Sequence, residues 1–216
     1  PEPSKSSPDH MRRVQAVKAG FTEDDIYARA RQTLEAALKH GTTRIRAHTE
    51  IDLPVGIKGV TALQQLAKDY RWAVDLELCV FAQEGLSNVP AADAALVAGL
   101  KAGARAIGAA PNYDVDHAAQ IHRVFELGRD YDVEIDLHID SGHDPANMDL
   151  HLVAELTKQY KRGGRVAIGH VTKPAGLPGA QQREIAAKLA DAGVAVTVLP
   201  ATDLFVLGRH MDHNTP

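Results

Sequence analysis

The feature that most constrains the fold is a regular alternation of strand-like and helix-like segments along the chain. Short runs rich in β-branched and apolar residues are separated by longer amphipathic segments, and strand centres recur about every thirty residues. The predicted strands are residues 42–49, 75–81, 105–109, 133–139, 165–170 and 194–200. The predicted helices are residues 22–39, 57–70, 91–102, 115–131, 147–160 and 180–192. Strands that alternate with helices indicate a parallel sheet in an α/β fold.

Polar side chains follow nearly every predicted strand, and this favours a closed barrel over an open sheet. They are His48, Gln83, Asn112, His138, Asp140, His170, Thr202 and Asp203. A barrel gathers ligand groups from many strand ends around one mouth, whereas an open doubly wound sheet concentrates them at one switch point. No strand is followed by the glycine-rich loop of a dinucleotide-binding fold. We predict a (β/α)8 TIM-barrel type of α/β fold with six of the eight strands visible in this chain, the doubly wound sheet being the alternative.

The composition excludes several classes of partner. The 216 residues have a net charge of −4 and no basic stripe, which argues against nucleic-acid binding. No apolar run approaches the roughly 20 residues of a membrane span. The single cysteine, Cys79, has no internal disulfide partner and is predicted to lie in the core, so we expect a reducing, cytoplasmic location. The expected partner is a small-molecule substrate, and a homo-oligomer is left open.

The domain organisation is predicted from local composition. The first dozen residues are rich in Pro and Ser, so residues 1–21 are interpreted as an N-terminal loop or linker. Residues 22–216 are predicted to form one incomplete barrel domain. Within this domain the RHMDH cluster, residues 209–213, follows the last strand and is interpreted as a loop at the rim of the barrel, a solvated tail being the alternative.

Two neighbouring strands end in histidine, and this predicts a metal site. His138 and His170 would meet at one mouth of the barrel, where neutral imidazole nitrogens suit Zn or Fe. Asp140 and His143 lie close enough in sequence to serve as second-shell partners or proton carriers. The alternative for a single histidine at such a position is a hydrogen-bonded residue of the core or a loop.

Two further polar residues are candidates for substrate binding. The Gln83 side chain has both a donor and an acceptor, which suits the edge of an amide-like heterocycle. A glutamine that only faces water in a loop is the alternative interpretation. His48, at the end of its strand, either binds substrate or caps the sheet.

The motifs taken together resemble the metal-dependent amidohydrolase superfamily. They are RAHTEID, VFAQEGL, GAAPNYD, DLHIDSGHDP, AIGHVTKP and TDLFVLGRHMDHNTP, in family order. The most similar branch is that of the bacterial cytosine deaminases, which includes triazine-type N-alkylamide hydrolases. The resemblance runs from about residue 23 to residue 216 and implies a (β/α)8 barrel with one divalent metal ion, Zn or Fe. It also implies that a metal-activated hydroxide attacks a ring or amide carbon and expels ammonia or an amine.

The resemblance also implies roles for individual residues. The strand-five metal ligand of the family falls on His138, and the strand-six histidine, a second ligand or an acid/base partner of the attacking water, falls on His170. The glutamine at the substrate edge falls on Gln83. We therefore expect His138 and His170 to bind metal, His170 and Asp140 to be catalytic, and Gln83 and His48 to bind substrate.

The sequence departs from the family pattern in three places. The HxH pair of the first strand and the Asp of the eighth strand are not in this chain, so we expect a chain truncated at both ends with further ligands outside it. Where deaminases have Glu in the H-x-D-E motif, this chain has Ser141, and a hydroxyl does not replace a carboxylate proton shuttle at neutral pH. Asp140 or His143 would have to take over, which favours a C–N hydrolysis other than pyrimidine deamination.

The predicted function is metal-dependent hydrolysis of a C–N bond in a small cyclic amide or N-heterocycle, such as a pyrimidine or triazine. The enzyme class is an amidohydrolase or deaminase acting on bonds other than peptide bonds. The alternative is a non-catalytic barrel fragment or a small-molecule binding protein without a complete metal site.

Overall fold

Six parallel strands form one curved sheet in chain order. The computed structural model describes residues 7–208, and side chains are described from residue 12 onward. The strands are β1 (Arg44–Glu50), β2 (Asp75–Ala82), β3 (Ala106–Ala109), β4 (Glu134–Ile139), β5 (Val166–His170) and β6 (Val194–Thr197). Their order in the sheet is β1-β2-β3-β4-β5-β6, and every neighbouring pair is parallel. No strand order reverses about a crevice among these residues, so the half-barrel confirms the barrel prediction over the doubly wound alternative.

Eight helices are described: two precede β1, five connect consecutive strands and one follows β6. They are α1 (Ser7–Lys18), α2 (Glu23–Lys39), α3 (Lys58–Tyr70), α4 (Ala92–Lys101), α5 (His117–Asp130), α6 (Leu150–Gln159), α7 (Gly179–Ala192) and α8 (Pro200–Asp203). Short 3₁₀ turns cover Pro111–Tyr113 and Lys173–Gly176, and a π turn covers Leu204–Gly208. The predicted start of α2 is confirmed, because the Thr22 hydroxyl accepts a hydrogen bond from the Asp25 amide. No helix among residues 7–208 is long and apolar enough to cross a membrane.

The structure differs from the sequence-based prediction at both ends. The loop expected over residues 1–21 is wrong over Ser7–Lys18, which forms α1. Pro8 is compatible with a helix there, because the first N–H groups of a helix have no intrahelical partner. The last predicted strand is shorter than expected: β6 ends at Thr197, and Pro200 begins α8 because its fixed φ suits a first helical turn.

The two faces of the sheet have different chemistry because strand side chains alternate. One face packs against the helices and forms the main core, with Phe125 of α5 fully buried among side chains such as Val80, Ile107 and Ile135. Cys79 lies on the other face of β2 and is fully buried there, which confirms the prediction of a core cysteine, and burial raises the pKa of its thiol.

The opposite, inward face carries charged side chains beneath the carboxyl ends of the strands. Arg46 of β1 forms ion pairs with Glu77 of β2 and with Glu134 and Asp136 of β4. Although β1 and β4 are separated by two strands in the sheet order, the guanidinium reaches Asp136 Oδ2 at 2.9 Å. The curvature of the half-barrel therefore brings the ends of distant strands together around one interior.

Candidate functional site

His138 and His170 converge at the carboxyl end of the sheet, as the sequence predicts. His138 is the fifth residue of β4 and His170 is the last of β5, and their ring centroids are 5.4 Å apart. The pairing register places His138 opposite Gly169 and His170 opposite Ile139, so the two histidines are offset by one residue on neighbouring strands. Two imidazoles at this separation are close enough to share a ligand.

His138 is the central member of a cluster of rings. Its Nε2 lies 2.5 Å from Nδ1 of His48, which comes from β1 across the interior of the half-barrel. Phe81 stacks on the His138 ring at 5.4 Å with an interplanar angle of 22°. Burial, with smaller contributions from the neighbouring His48 and His170, lowers the pKa of His138 to about 4. His138 is therefore neutral near pH 7, which is the form of imidazole that binds metals.

His48 links this cluster to the charged interior below it. Its Nε2 lies 3.4 Å from Asp136 Oδ2, and Asp136 is two residues before His138 on β4. Burial acts to raise the pKa of Asp136, but contacts with His48 and Arg46 hold it below its ordinary value. Asp136 is therefore a carboxylate, and it fixes the orientation of the His48 ring.

His170 is oriented by a carboxylate from α8. Its Nδ1 lies 2.7 Å from Oδ1 of Asp203, a buried side chain with 8% of its surface exposed. Because Nδ1 is occupied, Nε2 is the ring nitrogen available to a ligand. A carboxylate on the second nitrogen is the usual outer partner of a metal-binding histidine.

The backbone at His170 is strained. His170 has φ of +71° and the β-branched Val171 has φ of +50°, in the left-handed region that such residues rarely adopt. Strain of this kind persists only where surrounding contacts hold it, and it concentrates at functional sites. Here the Val171 amide donates to the Ile139 carbonyl, and the Thr172 amide donates to the Asp140 carbonyl. The loop after β5 is thereby fastened to the loop after β4.

Asp140 serves as an anchor for the loop after β4. Its side chain is fully buried, and its two carboxylate oxygens accept hydrogen bonds from the amides of Asp149 and Leu150 at the start of α6, both at 2.9 Å. Lys173 Nζ lies 3.5 Å away. Burial raises the pKa of Asp140, and the two backbone hydrogen bonds oppose that rise. These contacts occupy the carboxylate to which the sequence assigned a catalytic role.

Replacing Asp140 with Ala is expected to destabilise the protein by about 2 kcal/mol, because two buried amides lose their acceptor. Urea denaturation measures the change. Asp144→Ala is the matched control, since Asp144 is an exposed residue of the same loop with one local hydrogen bond to the Ala146 amide. Equal stability of the two variants would contradict the anchoring role of Asp140.

The two residues predicted to bind substrate are placed differently. His48 lines a cavity of about 600 Å³ between α1, α2, α3 and β1. Gln83 follows β2 directly and is half-buried, but it is not among the residues that line this cavity. The structure therefore brings His48 to the histidine cluster and to the cavity, while Gln83 stands at the end of the neighbouring strand.

Two of the described side chains could hold part of a metal site. His138 and His170 are suitable nitrogen ligands, yet among residues 7–208 no group of three or more His, Cys, Asp or Glu side chains is arranged to hold a metal ion. A catalytic zinc takes about three ligands from protein. The RHMDH cluster, 209–213, lies outside the described residues. The imidazole nitrogens of His138 and His170 fit a metal ion, but the described residues do not complete a set of ligands.

Sequence reasoning missed two residues that shape the site. Asp203 was noticed only as a polar residue after a strand, and nothing in its distance of 33 positions from His170 indicates their contact. Phe81 stacks on His138. Its position could have been found, because Glu77, Cys79 and Phe81 are spaced two residues apart on β2 and therefore share one face of the strand.

Comparisons of the sequence give distant relatives of one kind. No family model matches the chain. It is 26% identical over 161 residues to N-isopropylammelide isopropyl amidohydrolase of Pseudomonas sp. (strain ADP), covering 69% of this chain and 38% of that protein. It is 23% identical over 197 residues to pterin deaminase of Rhizobium rhizogenes, covering 89% of this chain and 44% of that protein. The chain therefore spans less than half the length of these two relatives.

Solved structures have the same architecture. The chain superposes on 5-methylcytosine deaminase from Klebsiella pneumoniae, liganded with 5-fluorocytosine, with a TM-score of 0.89 at 21% identity, covering 98% of this chain and 52% of that chain. For atrazine chlorohydrolase from Arthrobacter aurescens complexed with zinc, the TM-score is 0.62 at 20% identity, covering 92% and 49%. The sequence relatives and structural neighbours of this chain are thus deaminases and hydrolases of the amidohydrolase superfamily, as its motifs predict.

Proposed function

We propose that the protein hydrolyses a C–N bond in a small cyclic amide or N-heterocycle with the help of one divalent metal ion, zinc or iron. The observation that supports this most directly is the convergence of His138 and His170 at the carboxyl ends of adjacent parallel strands. Barrel enzymes build their active sites at this end of the sheet. The relatives and structural neighbours of the chain include an N-isopropylammelide isopropyl amidohydrolase, a pterin deaminase and a 5-methylcytosine deaminase.

His138 and His170 are the proposed metal ligands in this chain. His138 is neutral near pH 7, and His170 is oriented by Asp203 with its Nε2 available. When bound, the metal would lower the pKa of a water molecule toward neutrality and so supply hydroxide. Because the described residues do not complete a ligand set, the proposal includes further ligands from outside residues 7–208.

Gln83 and His48 are the proposed contacts to the substrate. The Gln83 amide can donate to and accept from the paired groups at the edge of a heterocycle. His48 contacts His138 and lines the cavity, so it can contact a ring while holding His138 in place. Asp140 is proposed as a positioning residue, since its carboxylate is occupied by the start of α6.

The bond cleaved is proposed to carry an alkylamine leaving group. Ser141 stands where the deaminase motif has a glutamate, and its carbonyl accepts a hydrogen bond from the Asn112 side chain at 3.2 Å. A serine hydroxyl does not shuttle protons as a carboxylate does at neutral pH. Loss of ammonia and loss of an alkylamine both require a proton, so a group other than Ser141 would supply it in either reaction; the similarity to N-isopropylammelide isopropyl amidohydrolase favours the alkylamine.

The test is to express the protein from its complete reading frame and to measure its metal content and its reactions. Release of ammonia or amine from N-isopropylammelide, 5-methylcytosine and pterin should be followed in parallel. We expect close to one metal ion per chain, as in a one-metal hydrolase site, and fastest release from N-isopropylammelide. Metal-free protein that binds these rings without converting them would overturn the proposal in favour of a binding protein.

A further inference from the structure

Lys18, the last residue of α1, buries its charged end at the carboxyl side of the sheet. Its side chain is 5% exposed, and its Nζ lies 2.9 Å from Asp52 Oδ2 and in contact with Glu50. A buried ammonium is tolerated only when it is paired with opposite charge. Burial acts to lower the pKa of Lys18, but hydrogen bonds to Asp52 and Glu50 raise it above its ordinary value. Lys18 is therefore a permanent buried cation next to the candidate site.

Asp52 connects Lys18 to the segment that begins with Gln83, which we call the Gln83 loop (residues 83–87). The Asp52 side chain is 1% exposed, and it uses its two oxygens in different directions. One accepts from Lys18, and the other accepts from the Glu84 amide at 3.1 Å. Because Glu84 directly follows Gln83, this hydrogen bond fixes the backbone next to the proposed substrate-binding amide.

The far end of the Gln83 loop is held by a different carboxylate. Asp114 Oδ2 accepts from the Leu86 amide at 2.7 Å and from the Ser87 amide at 3.0 Å. Gly85 has φ of +89°, and a Cβ atom there would lie 2.6 Å from Asp114 Cγ, so only glycine permits this approach. The two ends of the loop are thus anchored separately, and Lys18 supports the end next to Gln83.

Glu84 makes the loop dependent on the Lys18 charge. Its side chain is 10% exposed, and its buried Oε1 has no hydrogen-bond partner. Lys18 Nζ lies 3.8 Å from that oxygen, too far for a hydrogen bond but close enough for charge attraction. Without the ammonium, the carboxylates of Asp52, Glu50 and Glu84 would be crowded in a buried space, and the loop would shift toward water.

We infer that Lys18 is a positioning residue that holds Gln83 in its substrate-binding orientation through Asp52 and the Glu84 amide. This inference rests on the proposed function, because it assumes that Gln83 contacts the substrate. Lys18 lines the same cavity as His48, but the contacts that carry the positioning role run from its Nζ through Asp52 to the Glu84 amide. Its removal should therefore weaken substrate binding more than the chemical step.

The test compares Lys18→Met, Lys18→Arg and the control Lys101→Met, which changes an exposed lysine at the end of α4. In the protein from its complete reading frame, with N-isopropylammelide as substrate, we expect Lys18→Met to raise KM about tenfold and to leave kcat within about twofold. Lys18→Arg should restore most of the affinity, since it keeps the charge. The inference would be overturned if Lys18→Met lowered kcat by the same factor as kcat/KM and Lys18→Arg restored neither.

A second measurement does not depend on activity. Residue-resolved amide hydrogen exchange should be faster at Glu84 in Lys18→Met than in the unmodified protein, while Leu86 and the amides of β4 stay protected. Asp52→Ala, which removes the acceptor of the Glu84 amide, supplies the comparison if Lys18→Met does not fold. Unchanged protection at Glu84 would overturn the inference even when the unmodified protein is active. A selective change at Glu84 would support it even when N-isopropylammelide is not a substrate, which would count against the proposed function alone.

Discussion

Replacing His138 with Ala is expected to remove metal binding and turnover together. His138 is the half-buried, neutral imidazole at the centre of the ring cluster, and its ring centroid is 5.4 Å from that of His170. Loss of a residue that merely orients a metal ligand already costs roughly 10- to 100-fold in metal affinity. Loss of a ligand itself should therefore lower metal affinity and kcat/KM by more than about 100-fold.

The measurement is elemental analysis of the His138→Ala protein, with amine release from N-isopropylammelide followed in the same preparation. His122→Ala is the control, because His122 is an exposed histidine on α5. The control should keep its metal and its turnover. Full activity of a metal-free His138→Ala protein would refute the hydrolytic mechanism proposed for this site.

Most of the sheet could be predicted because its signals are local. Runs such as 75–81 and 133–139 combine β-branched and apolar residues, and a capping Thr22 marks the start of α2. Polar residues after the strands favour a barrel, and the parallel chain-order sheet confirms that inference. The α1 helix was missed because Pro and Ser in the first dozen residues indicate a loop, whereas a proline is tolerated in a first helical turn.

The candidate site was only partly predictable because several of its contacts are not local in sequence. The convergence of His138 and His170 follows from neighbouring parallel strands, and it could be inferred without coordinates. The contact of His48 with His138 joins β1 to β4 and depends on how strongly the sheet curves. Neither spacing nor residue type specifies that curvature.

Asp140 illustrates the limit of assigning chemistry from proximity in a motif. It stands two residues after His138, so sequence reasoning treated it as a proton carrier. Its φ of +52° instead turns the chain, and its carboxylate satisfies the free amides at the start of α6. Side-chain direction at a strand end depends on the backbone conformation, which the residue type alone does not determine.

Asp203→Ala is expected to weaken metal binding by about 10- to 100-fold, because His170 would lose the carboxylate that holds its ring. Asp203 Oδ1 is 2.7 Å from His170 Nδ1, and both side chains are largely buried. Without this contact the His170 ring can rotate. The proton is then no longer held on Nδ1, so Nε2 is not kept free to bind the metal. The zinc affinity of Asp203→Asn should lie between those of the unmodified protein and Asp203→Ala, since the amide oxygen can still accept from Nδ1–H but carries no charge.

Titration with zinc, followed by a measurement of amine release at saturating metal, shows whether activity is lost through weaker metal binding or through slower catalysis with the metal bound. If Asp203 acts through His170, activity lost at low zinc should return largely as the zinc concentration rises. Asp24→Asn is the matched control, because Asp24 is an exposed carboxylate in the first turn of α2. The role assigned to Asp203 would be wrong if Asp203→Ala bound zinc as tightly as this control, because the position of His170 would then depend on its strained backbone and the loop contacts that hold it.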